Sequence, residues 1–257
     1  MHRAVILSGV RTPIGRYRGG LSLARPDDLA AHVLHAALER VPGSSKAVKE
    51  VCFGATNQAG EDNRNVGRMA ALLAGLPFEV TGATTNRLCG SGMDALLNVV
   101  RSIYVGDYDV AVAGGVESMT RAPYVMGKAQ EPFSRRVPEM FDTTIGWRFS
   151  NPRMQTRIPL ESMGETAENI AERYGISRNN QDAFAHQSHQ RAASAWKQGR
   201  FKDEVVPVAV FSSKPGQASF DQDESIRTNS SMELLSSLKP VFRPNGSVTA
   251  GNSSPLN

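Results

Sequence analysis

The chain has 257 residues, of which 21% are charged, and a formal net charge of +4. A hydrophobic share of 40% is typical of a folded chain rather than a disordered one. The sequence has no run of five or six basic residues and no apolar run near the roughly 20 residues of a membrane helix, so we expect neither a nucleic-acid partner nor a membrane span.

The chain has few side chains suited to cross-linking or metal binding. The only cysteines, Cys52 and Cys89, exclude a disulfide scaffold, and they argue against a zinc site built from Cys pairs. The five histidines form no HExxH pattern, so we expect no bound metal. The N-terminal residues show no signal-peptide pattern, and we expect a cytoplasmic location.

Strand-like and helix-like patterns alternate over the first 120 residues. The apolar run Ala4–Leu7, bounded by Ser8 and Gly9, predicts a buried first strand. Similar runs and apolar stripes at helical spacing predict strands at Val51–Phe53 and Val110–Ala113, and helices at Asp27–Arg40 and Asn65–Leu76. This alternation indicates a layered α/β fold.

The pattern changes near residue 120. Residues 121–160 contain five prolines and little periodicity, which favours a functional segment or an inserted subdomain. Beyond them the sequence predicts helices at Glu165–Tyr174, Arg178–Gln198 and Met232–Leu238, and a strand at Val205–Phe211. Ser177 is the predicted N-cap of the second of these helices.

Cys89 lies where a short Thr-rich stretch enters an amphipathic helix. Unpaired backbone N–H groups and the positive end of the helix favour a thiolate at such a place. Gly90 and Gly92 leave room for a substrate close to the backbone. A lone cysteine is also compatible with a small buried hydrophobic residue, which is our interpretation of Cys52 in its strand pattern. No histidine is paired with Cys89 by the sequence pattern.

Five segments in order along the chain resemble the thiolase family. They are Val10–Arg16, Asn86–Gly92, Gly114–Met119, Met163–Glu168 and Val248–Asn252. The resemblance implies a layered α/β fold in which helices cover a mixed sheet, with a first core half at 1–120, an inserted loop domain at 121–246 and a return to the core at 247–257. The family's Gly-His-Pro, Asn-Glu-Ala-Phe and Cys-x-Gly segments do not occur here. We therefore expect the second core half to be absent, and an impaired enzyme if the chain ends at Asn257.

The resemblance implies acyl transfer with coenzyme A as co-substrate and no permanently bound cofactor. Cys89 matches the nucleophile that takes an acyl group from a 3-oxoacyl-CoA and passes it to CoA. Arg227 matches an arginine near the nucleotide end of CoA, and the positions lining the pantetheine channel are matched by Met163, Phe242, Ala250 and Ser254. The chain departs from some family members at Ser162 and Leu234. Phe242 is equally compatible with core packing, and the complete protein is expected to form homo-oligomers, dimers or tetramers.

The segments Asn57–Val66 and Asp142–Phe149 are most similar to β-ketoadipyl-CoA thiolases. Their substrate, 3-oxoadipyl-CoA, ends in a carboxylate, which needs a cation or several donors when buried, and its cleavage gives acetyl-CoA and succinyl-CoA. The nearby arginines that are able to supply the cation are Arg135, Arg136, Arg148 and Arg153. Arg148 is the first candidate because it lies inside the distinctive segment. The alternative is that these arginines are solvated or make subunit contacts.

Two alternatives to this function remain open. The protein is either a generic acetyl-CoA acetyltransferase or a fatty-acid 3-ketoacyl-CoA thiolase, if the acyl chain carries no carboxylate. From another class, it is a non-catalytic CoA-binding or assembly module that lacks the second half.

Overall fold

The computed structural model describes residues 3–57, 59–135, 137–209 and 219–257. Gln58, Arg136 and the last two residues of the strand predicted at Val205–Phe211 lie outside the described residues. The chain divides into two compact units. Unit 1 comprises Met1–Tyr124, Asp203–Glu224 and Asn257, and unit 2 comprises Val125–Lys202 and Ser225–Leu256.

The helices and strands follow one another in an order close to the predicted one. They are α1 (Pro26–Glu39), α2 (Ser44–Ala47), β1 (Glu50–Gly54), α3 (Val66–Leu73), β2 (Thr81–Thr85), α4 (Ser91–Val105), β3 (Ala111–Gly115), β4 (Tyr124–Met126), β5 (Met140–Asp142), α5 (Pro152–Gln155), α6 (Met163–Tyr174), α7 (Arg178–Lys197), β6 (Val208–Ala209), β7 (Ser219–Phe220) and α8 (Met232–Ser236). The predicted helices that became α1, α3, α6 and α7 are confirmed.

Unit 1 is built on a parallel sheet of three strands in the order β2-β1-β3. Glu50 of β1 lies opposite Thr81 and Ala111, so the three strands end together at one edge. Successive side chains of a strand point to opposite faces. Val51 and Phe53 accordingly pack in one core cluster with residues of α1 and α3, and Cys52 packs in another with residues of α4. Helices therefore cover both faces of β1.

The buried strand predicted at Ala4–Leu7 is wrong. Val5, Ile6 and Leu7 are 73%, 77% and 65% exposed and belong to no strand. The segment lines a cleft of about 930 Å³, together with residues of α4 and β3. A strand needs backbone hydrogen bonds to a neighbour, and an apolar run in the sequence does not reveal whether that neighbour is present.

Unit 2 contains two long helices that begin at serine N-caps. Ser162 accepts a hydrogen bond from the N–H of Glu165 at the start of α6, and Ser177 accepts one from Asn180 at the start of α7. The predicted role of Ser177 is confirmed. Gly175 ends α6 in the left-handed conformation. The irregular stretch 121–160 contains the two-stranded sheet β4-β5 and the short α5.

The strand predicted at Val205–Phe211 is found in part. In unit 1, β6 and β7 pair antiparallel, with Val208 opposite Phe220. Across the described part of the chain, the structure has no helix that is long and apolar enough to cross a membrane.

Candidate active site

Cys89 lies in the turn that connects β2 to α4. The residue is exposed and immediately precedes Gly90, the N-cap of α4. The backbone N–H groups nearest to it belong to the turn, where Gly90 donates to the carbonyl of Arg87 at 3.1 Å and Ser91 to that of Leu88 at 2.9 Å. The sequence-based placement of Cys89 at a helix entrance is therefore confirmed.

The residue before Cys89 has a strained backbone that hydrogen bonds hold in place. Leu88 has φ +49°, in the left-handed region, where a branched residue costs on the order of 1 kcal/mol. Its N–H donates to Asn86 Oδ1 at 3.0 Å, and its carbonyl accepts from Ser91 Oγ at 2.6 Å. Ser91 Oγ also accepts the N–H of Arg87 at 2.9 Å. The turn that carries the thiol is thus fixed on both sides of Leu88.

Asp94, in the first turn of α4, ties the helix to the end of β2. Its carboxylate accepts the hydroxyl of Thr85 at 2.7 Å and pairs with Arg87 Nε at 2.9 Å. The hydrogen bond from Thr85, followed by that from Arg87, outweighs burial and lowers the pKa of Asp94. Asp94 therefore stays ionised to a lower pH than an ordinary aspartate does.

A glycine lets α4 approach the sheet closely. A Cβ at Gly54, the last residue of β1, would lie 2.3 Å from the carbonyl carbon of Ser91 and 2.5 Å from the backbone N of Gly92. Only a residue without a side chain fits there, so the start of α4 rests directly on the end of β1.

Polar side chains follow all three strand ends beside this turn. Thr56 comes after β1, Asn86 after β2 and Glu117 after β3. Glu117 accepts both the N–H of Thr56, at 2.7 Å, and its hydroxyl. Asn86 Nδ2 donates to the carbonyl of Thr56 at 3.0 Å. The three residues form one hydrogen-bonded chain that ends at the Cys89 turn.

The second cysteine has the opposite surroundings. Cys52 is 5% exposed and packs with Ala95 and Val99. Burial raises the pKa of its thiol, and the carboxylates of Glu50 and Asp94 act in the same direction. The prediction that Cys52 is a core residue is confirmed.

In unit 2, Phe242 packs on the start of α6, where Met163 is the first residue. The ring of Phe242 covers Gly164, the second residue of α6, so closely that a Cβ there would lie 2.1 Å from Phe242 Cδ1. Met163 is 69% exposed and Phe242 38% exposed. Phe242 therefore covers the helix start and still presents ring surface to solvent, and its role in the pantetheine channel stays a prediction.

Ala250 lies in a turn whose hydrogen bonds point inward, and Ser254 follows shortly after that turn. Thr249 N donates to Asn252 Oδ1 at 2.7 Å, and Asn252 Nδ2 donates to Asp182 Oδ1 at 2.9 Å. Thr249 and Asp182 are buried, whereas Ala250 and Ser254 are exposed. The turn is anchored on α7, and the two small residues lie at the surface.

Glu168 of α6 holds the start of the same turn. Its carboxylate accepts the N–H groups of Ser247, at 2.9 Å, and Val248, at 2.7 Å. Burial raises the pKa of Glu168, but these hydrogen bonds and the one from the Ser247 hydroxyl outweigh it, and the pKa lies below its ordinary value. The buried carboxylate is thus ionised and fully used in binding the turn.

Arg227 lies beside two histidines of α7. Its backbone N–H donates to His189 Nδ1 at 3.2 Å, which leaves the proton of neutral His189 on Nε2. Burial lowers the pKa of His189, and the charges of Arg227 and His186 lower it further. His186 lies 3.4 Å from the hydroxyl of Ser230. The signal that sequence reasoning missed is the i, i+3 spacing of the two histidines on one helix face.

Arg148 is half-buried and lies between two anchored aromatic residues of unit 2. Trp147 Nε1 donates to the carbonyl of Glu161 at 3.2 Å, and the ring of Phe149 packs edge-on against Phe141 with centroids 4.9 Å apart. These contacts anchor the backbone on both sides of Arg148. Arg135 and Arg153 are exposed. In the described ranges, no group of three or more His, Cys, Asp or Glu side chains is placed to hold a metal ion.

Comparison with known proteins decides the family. The sequence model of the family described as the thiolase N-terminal domain matches residues 4–257. The chain belongs to the thiolase family. The Cys89 turn, the sheet that supports it and the Glu168-anchored turn are thus features of a thiolase N-terminal region.

Curated thiolases from several bacteria are similar to the chain over its whole length. The 3-oxoadipyl-CoA/3-oxo-5,6-dehydrosuberyl-CoA thiolase of Escherichia coli (strain K12) is 54% identical over 258 residues, which cover 100% of this chain and 64% of that protein. A beta-ketoadipyl-CoA thiolase of Acinetobacter baylyi is 50% identical with the same coverage. The 3-ketoacyl-CoA thiolase of Bacillus subtilis is 40% identical over 99% of this chain and 63% of its own length.

A solved thiolase-type structure has the same fold. The crystal structure of the Bacillus anthracis acetyl-CoA acetyltransferase superimposes with a TM-score of 0.89 at 39% identity, covering 99% of this chain and 63% of that one. The chain therefore spans a little under two thirds of the length of these relatives.

Sequence reasoning missed Thr56 and Glu117 beside the Cys89 turn. Glu117 lies inside the recognised segment Gly114–Met119, but nothing in that segment says which backbone it contacts. The missing information is the parallel register of β1 and β3, which places the residues after Gly54 next to those after Gly115.

Proposed function

We propose that the whole protein is an acyltransferase that cleaves a 3-oxoacyl-CoA with CoA and uses Cys89 as its nucleophile. Cys89 Sγ attacks the 3-oxo carbon, the bond between C2 and C3 breaks, and C2 takes a proton as acetyl-CoA leaves. The acyl group stays on Cys89 as a thioester, which the thiol of CoA then attacks to release the shortened acyl-CoA. The observation that carries the proposal is an exposed thiol in a braced turn at a helix N-terminus.

The proton transfers in this scheme are assigned by the family resemblance to groups outside these 257 residues. They are a histidine that activates the thiol and a second cysteine that moves the proton at C2. Each general acid or base of this kind contributes roughly 10²–10⁴-fold in rate. These 257 residues alone are accordingly proposed to be a slow catalyst that still forms the acyl-enzyme.

The proposed substrate is 3-oxoadipyl-CoA, which gives succinyl-CoA and acetyl-CoA. This choice is supported by the relatives at 50–54% identity, which are named 3-oxoadipyl-CoA/3-oxo-5,6-dehydrosuberyl-CoA thiolase and beta-ketoadipyl-CoA thiolase. Arg148 is half-buried and follows and precedes anchored aromatic residues in the sequence, and we propose that its guanidinium supplies the charge that a terminal carboxylate needs. A substrate without a carboxylate is the second candidate, since the relatives at 39–40% identity are named acetyl-CoA acetyltransferase and 3-ketoacyl-CoA thiolase.

Coenzyme A is the proposed co-substrate. We assign its nucleotide end to Arg227, and its pantetheine arm to Met163, Phe242, Ala250 and Ser254. All five residues are exposed. Phe242 packs on Gly164, and Ala250 follows Thr249, whose N–H donates to Asn252 Oδ1. A core half at 1–120, a loop domain at 121–246, a return at 247–257, homo-oligomerisation and a cytoplasmic location complete the proposal.

Trapping the acyl-enzyme tests the proposed nucleophile on the chain as it exists. We expect succinyl-CoA to add one succinyl group, which peptide mass spectrometry locates on Cys89. Cys89→Ser should abolish the adduct, and the matched variant Cys52→Ala should keep it. An adduct that survives Cys89→Ser, or none in the unsubstituted chain, contradicts the proposal.

The rate of the same adduct tests the proposed substrate. We expect succinyl-CoA to acylate Cys89 faster than butyryl-CoA, because a charge-assisted hydrogen bond contributes about 1.5–3 kcal/mol, or roughly 10- to 100-fold. Arg148→Ala should remove the preference, and Arg153→Ala on the same stretch is the control. A ratio near one in the unsubstituted chain rejects the carboxylate substrate, and a ratio that survives Arg148→Ala rejects only Arg148.

A further inference from the structure

Glu117 contacts Thr56 in a way that fixes the end of β1. One carboxylate oxygen, Oε2, accepts both the backbone N–H and the hydroxyl of Thr56. Val116, the residue before Glu117, donates its N–H to the carbonyl of Gly54 at 3.0 Å. The segment after β3 therefore holds the end of β1 and the residues after it through one backbone bond to Gly54 and two bonds from Thr56 to Glu117 Oε2.

Asn86 connects Thr56 to the Cys89 turn through two hydrogen bonds. The Thr56 carbonyl accepts Asn86 Nδ2 at 3.0 Å, and Asn86 Oδ1 accepts the N–H of Leu88 at 3.0 Å. Both ends of the Asn86 amide are thus occupied, and its orientation is fixed because only the oxygen is able to accept from Leu88. The left-handed conformation of Leu88 is the strained element that this amide holds.

We propose that Glu117 is a positioning residue for the Cys89 turn, acting through Thr56 and Asn86 on the backbone of Leu88. This role of Glu117 rests on the proposed function, in which Cys89 is the nucleophile. Glu117 is proposed to act indirectly and not as a catalytic residue, because its Oε2 accepts from Thr56 and its effect reaches the thiol only through Asn86. Its effect is to keep the thiol at the orientation that the start of α4 requires.

These contacts predict that the effects of substituting Glu117 and Asn86 are not additive. If Glu117 acts through Asn86, then removing Glu117 has little further effect once Asn86 is gone. Residues in one hydrogen-bonded network show such non-additivity, whereas independent sites add. The Leu88 N–H is a direct reporter, because its exchange with solvent measures how firmly Asn86 Oδ1 holds it.

The experiment measures amide exchange at Leu88 in the chain as it exists. We expect Asn86→Ala and Glu117→Ala each to accelerate this exchange roughly five- to tenfold, about the effect of one net hydrogen bond. The double variant should match Asn86→Ala alone. Glu117→Gln keeps an acceptor oxygen and should restore most of the protection, and Glu79→Ala on the exposed surface is the control. Additive effects, or unchanged exchange at Leu88, overturn the proposal.

A second readout separates this inference from the proposed function. With succinyl-CoA as the probe, Glu117→Ala should lower the limiting rate of Cys89 acylation several-fold while leaving the half-saturating thioester concentration unchanged. If the unsubstituted chain is not acylated, the proposed function fails and the exchange measurement still decides the role of Glu117. If acylation proceeds and Glu117→Ala leaves its limiting rate unchanged, the positioning role fails alone.

Discussion

At the scale of single residues, the two thiols of the chain show how position decides reactivity. Cys52 lies under α4 with its side chain removed from water, whereas Cys89 stands outside the same helix at its entrance. The thiolate is the reactive form of cysteine, and burial disfavours it. The difference therefore comes from the two environments.

This contrast predicts selective alkylation. Iodoacetamide at pH 7.5 should modify Cys89 more than about tenfold faster than Cys52, because burial raises the pKa of Cys52 and each unit is worth tenfold in thiolate. Peptide mass mapping over time gives both rates in one sample. Unfolding in guanidinium should bring the two rates together, and faster labelling of Cys52 in the folded chain would contradict the prediction.

Glu168 predicts a loss of stability in acid. Its folded pKa lies below the unfolded value of about 4.3, so its stabilisation is complete above that value and is lost as the pH falls through the folded pKa. Glu168→Gln should cost about 2 kcal/mol at pH 7 and flatten the decline of stability below pH 4.3. Urea unfolding at several pH values measures this, with the exposed Glu172→Gln of the same helix as control. An unchanged acid slope would show that Glu168 is not the group involved.

At the scale of helices and strands, the sequence predicts what is local. The helices α1, α4, α6 and α7 follow from apolar spacing and from Pro, Ser and Gly at their ends. The strands β4 and β5 are three residues long, too short for any alternation to appear, and they were not predicted. The error at Ala4–Leu7 has a related cause, since apolar character shows a preference for burial but not the partner that provides it.

In the candidate site, too, the local part is predictable from the sequence and the long-range contacts are not. The turn Asn86–Gly92 is recognisable because all its residues are adjacent in the sequence. Thr56 and Glu117 lie 30 and 31 positions from Asn86 on different strand ends, and only the register of the sheet brings the three together. The contacts that brace the turn therefore had to come from the structure.

The contact between α6 and Phe242 predicts a loss of folding stability in one variant that a second substitution partly restores. Gly164→Ala places a methyl group inside the space of the Phe242 ring and should cost about 1–3 kcal/mol, as overpacking does. Phe242→Leu in the same chain should recover part of this loss. Chemical unfolding of the two single variants and the double variant measures the coupling. Strictly additive losses would show that the ring moves aside freely.

At the scale of the whole molecule, unit 1 exposes a large apolar surface. The side chains of Val5, Ile6 and Leu7 lie at a cleft of about 930 Å³. Contiguous apolar surface of this kind promotes association. We expect the chain to bind an apolar fluorescent dye and to sediment as a mixture of sizes, and Ile6→Asp to reduce both effects. A dye-silent monomer would contradict this expectation.

The hydrogen bonds between Glu168 and the turn at Ser247 form only after both partners have been synthesised. The two partners are 79 residues apart, and ribosomes add about 5–20 residues per second, so the carboxylate waits roughly 4 to 16 seconds for its N–H donors to emerge. During that interval α6 and α7, whose contacts are local, are free to form. The closing of unit 2 around Thr249 therefore follows the synthesis of α6 by this interval, and a pause in translation between these positions lengthens the time for which the α6 surface is open to other chains.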